Sequence, residues 1–151
     1  MTATVHDVAA YILRKEASMS AMKLQKLCYF AYGYHLAWEG RPLFREPFEA
    51  WANGPVVYDL YDQHRGRYNL QRDDIEGDAA ALDKDERESI DVVLENFRAY
   101  SAHELSAMTH QAGPWLDARR RAGVDDLQRS NEELRDEEIE DFFGALVGRE
   151  D

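Results

Sequence analysis

A chain of 151 residues and 17.4 kDa has the length of one ordinary domain. Its 44% apolar and 11% aromatic residues supply a packed core and exclude disorder over the whole length, despite 32% charged residues. The net charge of -12 is uneven: residues 1–72 hold nine Lys/Arg and seven Asp/Glu, or +2, and residues 73–151 hold nine and twenty-three, or -14. An acidic surface of this kind repels phosphate backbones and anionic lipid, which disfavours general nucleic-acid or membrane binding. It suits solubility, or a basic protein partner. A single cysteine excludes an internal disulfide framework and a Cys-based zinc cluster. The N-terminal stretch has no basic region followed by an apolar core, and no apolar run reaches the roughly 18 residues of a membrane span. A soluble, cytoplasmic protein is expected.

In chain order, Val5, Val8, Ala9, Ile12 and Leu13 recur at helical spacing, with Thr4 placed to cap. Ser20 precedes a longer pattern from Ala21 to about Trp38, ended by Gly40 and Pro42. Leu24, Leu27, Cys28, Ala31, His35 and Trp38 form one stripe of this helix, and Tyr29, Tyr32 and Leu36 a second. Lys23, Lys26, Gly33 and Ala37 fill the narrow remainder. A helix apolar on most of its circumference is surrounded by other elements, so this one is expected at the centre of the domain. Leu43–Arg45 and Phe48–Ala52 flank a Glu46-Pro47 turn, which predicts a small antiparallel hairpin. Its edge, with Trp51 beside it, could accept a partner strand.

Asn53-Gly54-Pro55 reads as a turn leading into a helix over Pro55–His64, because proline is pre-set for a first helical position. Residues 72–85 are acidic and irregular. Asp83 opens a helix to about Tyr100 with Ile90, Val93, Leu94 and Phe97 as its inner face. Ser101 and Glu104 have capping-box spacing and start a short helix through Thr109; Gly113-Pro114 starts another turn of helix. Ser130 and Glu133 have the same spacing and predict the start of an acidic last helix over 131–147, with Leu134, Ile139, Phe142, Phe143 and Leu146 as its docking side chains. The fold class is mainly α (α+β): a compact helical domain around a central buried helix, with a small antiparallel β-hairpin. One domain over 1–151 is expected.

Chemistry-bearing residues are few. Cys28 could serve as a nucleophile with His35 or His110 as base, but its mid-helix place on the richest apolar stripe reads as core packing. His103 and His110 lack the spacing of a zinc site, and capping or hydrogen-bonding roles fit the five histidines better. No nucleophile elbow, P-loop or dinucleotide fingerprint is present. No enzyme is expected, and no catalytic, cofactor or metal residue is assigned. The aromatics carry more. Trp51, Tyr58 and Tyr61 cluster after the long helix and are candidate partner-contact residues, since tyrosine and tryptophan bring large, rigid, amphipathic area to interfaces.

Three blocks in this chain resemble a known family: Lys23-Leu-Gln-Lys-Leu-Cys-Tyr-Phe-Ala-Tyr, then Phe48-Glu-Ala-Trp-Ala-Asn-Gly-Pro-Val-Val-Tyr-Asp-Leu-Tyr, then Leu105-Ser-Ala-Met-Thr-His-Gln-Ala-Gly-Pro-Trp. They look like the Panacea domain, the phage-associated, SocA-like antitoxin family, over roughly 5–120. The resemblance implies an antitoxin that neutralises a cognate, genetically adjacent toxin by direct protein contact, with no cofactor. That toxin is expected to be basic or to carry a basic patch. Adaptors that deliver a bound partner to a cytoplasmic protease, or a phage-borne interaction protein of other purpose, are the alternatives. The residues that carry over are Lys23, Leu24, Lys26 and Leu27, then Ala50 and Trp51, then Gly54, Pro55 and Val56, then His110, Pro114 and Trp115. Each also has a structural reading, from buried area at the tryptophans to backbone freedom at Gly54.

Overall fold

The computed structural model describes residues 3–111 and 113–148. Its first helix, α1 (Val5–Glu16), begins where the sequence predicts. The Thr4 hydroxyl accepts the Asp7 N–H, and the Asp7 carboxylate accepts the Thr4 N–H in return. A short strand, β1 (Ser18–Ser20), leads into α2 (Ala21–Glu39), whose first turn is capped by the Ser20 hydroxyl and whose end is set by Gly40 at φ 73. As expected, α2 is the centre of the fold. Most of its remainder is buried too, with Lys26, Gly33 and Ala37 enclosed; Lys23 is half-buried, and Trp38 at the end of the first stripe is exposed, contrary to expectation.

The hairpin differs from expectation in its partner. Strand β2 (Phe48–Trp51) pairs antiparallel with β3 (Gly54–Val57) across a two-residue turn, and Leu43–Arg45 forms no strand. The helix expected from Pro55 starts later, as α3 (Tyr58–His64). Pro55 is tolerated in β3 because Ala50 opposite it turns its own backbone groups away. The Ala50 N–H donates to Glu132 O, and its carbonyl accepts from Arg119. A helix start and a hairpin strand look alike locally at Gly-Pro; pairing across the chain selects the strand.

The outer edge of β2 is closed as well. Glu133 bridges Glu49, the Ala50 N–H donates to Glu132 O, and the Leu134 N–H donates to Phe48 O. The edge expected to accept a foreign strand is therefore occupied by the chain itself. For the same reason Ser130 and Glu133 do not form a capping box. The last helix, α7, begins only at Asp136 and runs to Leu146. A second pair, unforeseen, joins β1 to β4 (Asn69–Gln71).

The remaining elements follow the sequence reading closely. A short 3-10 turn occupies Ala79–Ala81 in the acidic stretch. Asp83 and Glu86 form a capping box for α4 (Lys84–Phe97), and Ser101 and Glu104 do so for α5 (Ala102–Thr109). Pro114 opens α6 (Pro114–Ala122). Helices α1, α4, α5 and α7 all pack on α2. The acidic last helix docks: Phe143 is wholly buried among Tyr29, Phe30 and Tyr34, with ring centroids 5.5, 6.1 and 4.9 Å away. Gly33 makes room for it, since a methyl group there would overlap the Phe143 ring. Tyr32 adds a 2.7 Å hydrogen bond to Asp136. Ile139 and Leu134 are also buried, whereas Leu146 is exposed.

Candidate functional site

The free edge of β3 faces α2, and two α2 side chains finish it. Gln25 acts as a neutral substitute for a neighbouring strand: its Oε1 accepts the Val57 N–H at 2.9 Å, and its Nε2 donates to Val57 O at 3.2 Å. The same amide lies 3.0 Å from His64 Nε2. One residue on, Lys26 donates from Nζ to Pro55 O at 3.2 Å. Lys26 is 1% exposed, and burial pulls its ammonium down to about 7. No carboxylate lies within ion-pair distance of it among the described residues.

Lys26 and Gln25 lie at the floor of a groove of about 800 Å³. Its wall is aromatic. Trp51 lies 5.0 Å from Tyr61 and 6.5 Å from Tyr58 between ring centroids, and the two tyrosines are 6.0 Å apart. The Trp51 indole N–H donates to Glu49 at 2.8 Å, which fixes the ring. Arg65 lies over Tyr61 at 5.0 Å and over Tyr58 at 5.9 Å, and it donates to the Tyr58 hydroxyl. Arg67 and Arg129 complete the rim. The three candidate contact residues of the sequence reading thus share one wall, with Tyr58 43% exposed.

The third block meets the hairpin from behind. Trp115 donates from Nε1 to Trp51 O at 2.7 Å, and His110 stacks on Trp115 at 4.1 Å with the rings nearly parallel. Pro114 sets the first turn of α6 and is buried. Of the twelve signature residues, Lys26, Ala50, Trp51, Gly54, Pro55, Val56, His110, Pro114 and Trp115 converge on the hairpin. Leu24 and Leu27 are core residues on α2. Lys23 lies apart, with its ammonium on Arg98 O at 2.6 Å.

Two residues that hold this region together are not apparent from the sequence. Gln25 gives no signal beyond one polar residue in an apolar helix. Arg119 sits within the run Arg119–Arg121, where nothing marks it as buried. Yet it is 2% exposed, with its guanidinium 5.2 Å over Trp115. It donates to Ala50 O at 2.8 Å and to the carbonyls of Asp125 and Gln128. The (i, i+4) spacing from Trp115 is the one cue available. Arg119→Lys is expected to lower unfolding free energy by about 2 kcal/mol in urea titrations, because one ammonium cannot satisfy three divergent carbonyls.

The remaining chemistry-bearing residues lie elsewhere. Cys28 is wholly buried, and burial pushes its thiol up, the reverse of what a nucleophile needs. His35 Nδ1 lies 2.7 Å from Ser89 Oγ, and burial holds the ring below its ordinary value, as it does for His64 and His110. His6 pairs with Gln63 at 2.8 Å. Among the described residues no group of three or more His, Cys, Asp or Glu could hold a metal ion, and no helix is long and apolar enough to cross a membrane.

No solved structure matches the chain. Antitoxin SocA of Caulobacter vibrioides (strain NA1000 / CB15N) is 37% identical over 72% of this chain, which spans 66% of that relative's length. The family described as Antitoxin SocA-like, Panacea domain matches residues 24–116, from the core of α2 through β2, β3 and the groove wall to the start of α6. With the hairpin, its buried lysine and the Trp115 buttress all inside that match, the chain belongs to the SocA-like Panacea domain family.

Proposed function

We propose that this protein is an antitoxin that neutralises a protein toxin by direct, stoichiometric contact, and that the groove walled by Trp51, Tyr58 and Tyr61 is part of the contact surface. The observation that supports this best is membership of the SocA-like family, through a match that contains the whole hairpin and most of the groove lining. The relative from Caulobacter vibrioides is itself an antitoxin by name. The groove adds a physical reason: half-buried aromatics around a concave floor are the usual anchors of a protein interface. The packing of α1 and α7 on α2 supports treating the whole chain as one functional unit.

Co-expression with the neighbouring reading frame tests the reading. That neighbour should arrest growth alone and be tolerated when this chain is present; a harmless neighbour, or one that stays toxic, defeats it. The half-life of the partner in the same cells separates blocking from delivery to a protease, since delivery shortens it. At the groove, Tyr58→Ala and Trp51→Ala are each expected to weaken toxin binding by more than about 1 kcal/mol in calorimetry. Tyr58 gives the cleaner test because its ring is more exposed. Unchanged affinity in both folded variants would remove the groove from the interface.

A further inference from the structure

The groove lining is more basic than the molecule as a whole. The chain carries -12 overall, yet Lys26, Arg65, Arg67 and Arg129 line the groove against the single carboxylate of Glu49. Two of these cations are already answered, Arg65 by Asp62 at 3.0 Å and Arg67 by Asp74 at 3.3 Å. Arg129 has no ion pair or hydrogen bond among the described residues. Lys26 has one neutral acceptor, the Pro55 carbonyl.

Capping the β3 edge does not explain a charge at position 26. A carbonyl needs a donor, and the neighbouring Gln25 serves Val57 with a neutral amide. Burying an ammonium beside one neutral acceptor is unfavourable until an anion completes it. The groove is larger than a lone inorganic anion fills, and its wall is the aromatic face of Trp51 and Tyr61.

We propose that the groove receives an acidic segment of the protein partner, in which one acid meets Arg129 at the rim, an adjoining aromatic or aliphatic side chain lies against Trp51 and Tyr61, and a second Asp or Glu carboxylate draws the Lys26 ammonium from Pro55 O up to the groove floor. This rests on the antitoxin reading and names the partner chemistry at its groove. The acidic surface of the second half then remains for any basic patch, while the groove selects acid. With the Lys26 amine near neutrality when empty, an arriving carboxylate also draws a proton onto it. The other titratable or charged groups about the floor are His64 of α3, His110 after α5, and Glu49, Arg65, Arg67 and Arg129 of the groove lining.

The test uses defined peptides on the full chain, acetyl-Glu-Phe-Glu-Tyr-Glu-amide and its Gln-for-Glu counterpart, followed by amide NMR and calorimetry. The acidic peptide should shift the amides of Gly54, Val56 and Tyr58 and bind roughly tenfold tighter than the neutral one. Lys26→Met and the surface variant Arg129→Glu should each weaken it about fivefold or more. Calorimetry near pH 7.5 in two buffers should show proton uptake that Lys26→Met abolishes and His64→Gln retains. Equal binding of both peptides, or unchanged binding in both variants, overturns the proposal. Inorganic phosphate giving the same shifts without being displaced by peptide overturns it in favour of a free-anion site. Because no toxin enters these measurements, peptide binding without neutralisation in cells would count against the antitoxin reading alone, and the reverse pattern against the groove alone.

Discussion

Replacing Lys26 with methionine is expected to stabilise the protein by about 3 kcal/mol at pH 6 and to destabilise it slightly at pH 10.5. Burial holds the folded-state amine at about 7 against its usual 10.5. Between those values the unfolded chain binds the proton and the folded chain does not, so stability rises with pH across that window. Below pH 7 the amine is charged in both states and the whole burial cost is present. The separation corresponds to about 5 kcal/mol at roughly 1.4 kcal/mol per pH unit. Methionine keeps the volume and removes the charge, but it forfeits the hydrogen bond to Pro55 O, worth about 1–2 kcal/mol. The difference is the gain at pH 6. Near pH 10.5 only the lost hydrogen bond remains, and the sign reverses. Urea unfolding of both proteins at the two pH values checks this, and a gain independent of pH would mean that the amine is not titrating in that window. The Lys26 charge also presses on His64 and His110, so its removal relieves both rings as well, which adds to the gain on the acid side. A residue whose removal stabilises the fold is one that folding alone does not require, which is the usual mark of a position kept for binding.

Local signals in this chain were legible wherever local chemistry decided the outcome. Thr4 with Asp7 and Ser101 with Glu104 close reciprocal hydrogen bonds within four residues, and both helices start as expected. The long apolar run from Ala21 stops at Gly40 because the left-handed backbone there suits glycine. Ser130 with Glu133 carries the same local pattern and fails. Its backbone instead pairs with β2, about eighty residues away, through two strand hydrogen bonds that preclude the cap. Pro55 is misread for the same reason.

The groove divides along the same line. Its aromatic wall was visible because Trp51, Tyr58 and Tyr61 are close in sequence. Its charge was not, because Lys26, Arg65 and Arg129 come from α2, the end of α3 and the loop before α7. In the sequence Lys26 belongs to a narrow polar remainder of α2, which on an isolated helix would face water. Docking β3 against that remainder is what buries it, and no periodicity in α2 announces β3.

Gly54→Ala is expected to cost about 4 kcal/mol in urea unfolding, the largest loss from adding a single methyl group at the hairpin. Gly54 has φ 123, a backbone region that L side chains rarely adopt, and strain there costs roughly 1–3 kcal/mol. The added methyl would also lie 2.6 Å from Lys26 Cε and 3.1 Å from Thr109 Oγ1. A lysine tail normally swings aside at little cost. Here it is enclosed and held by Pro55 O, so moving it breaks the hydrogen bond and disturbs packed neighbours. The two contributions separate in a double-mutant cycle with Lys26→Ala. In that background the crowding against Cε disappears and only the backbone strain and the Thr109 contact remain, so Gly54→Ala should cost about 2 kcal/mol. A coupling of about 1–2 kcal/mol between positions 26 and 54 follows. Additive losses would show instead that the glycine is required for its backbone angle alone, and that the lysine floor tolerates displacement.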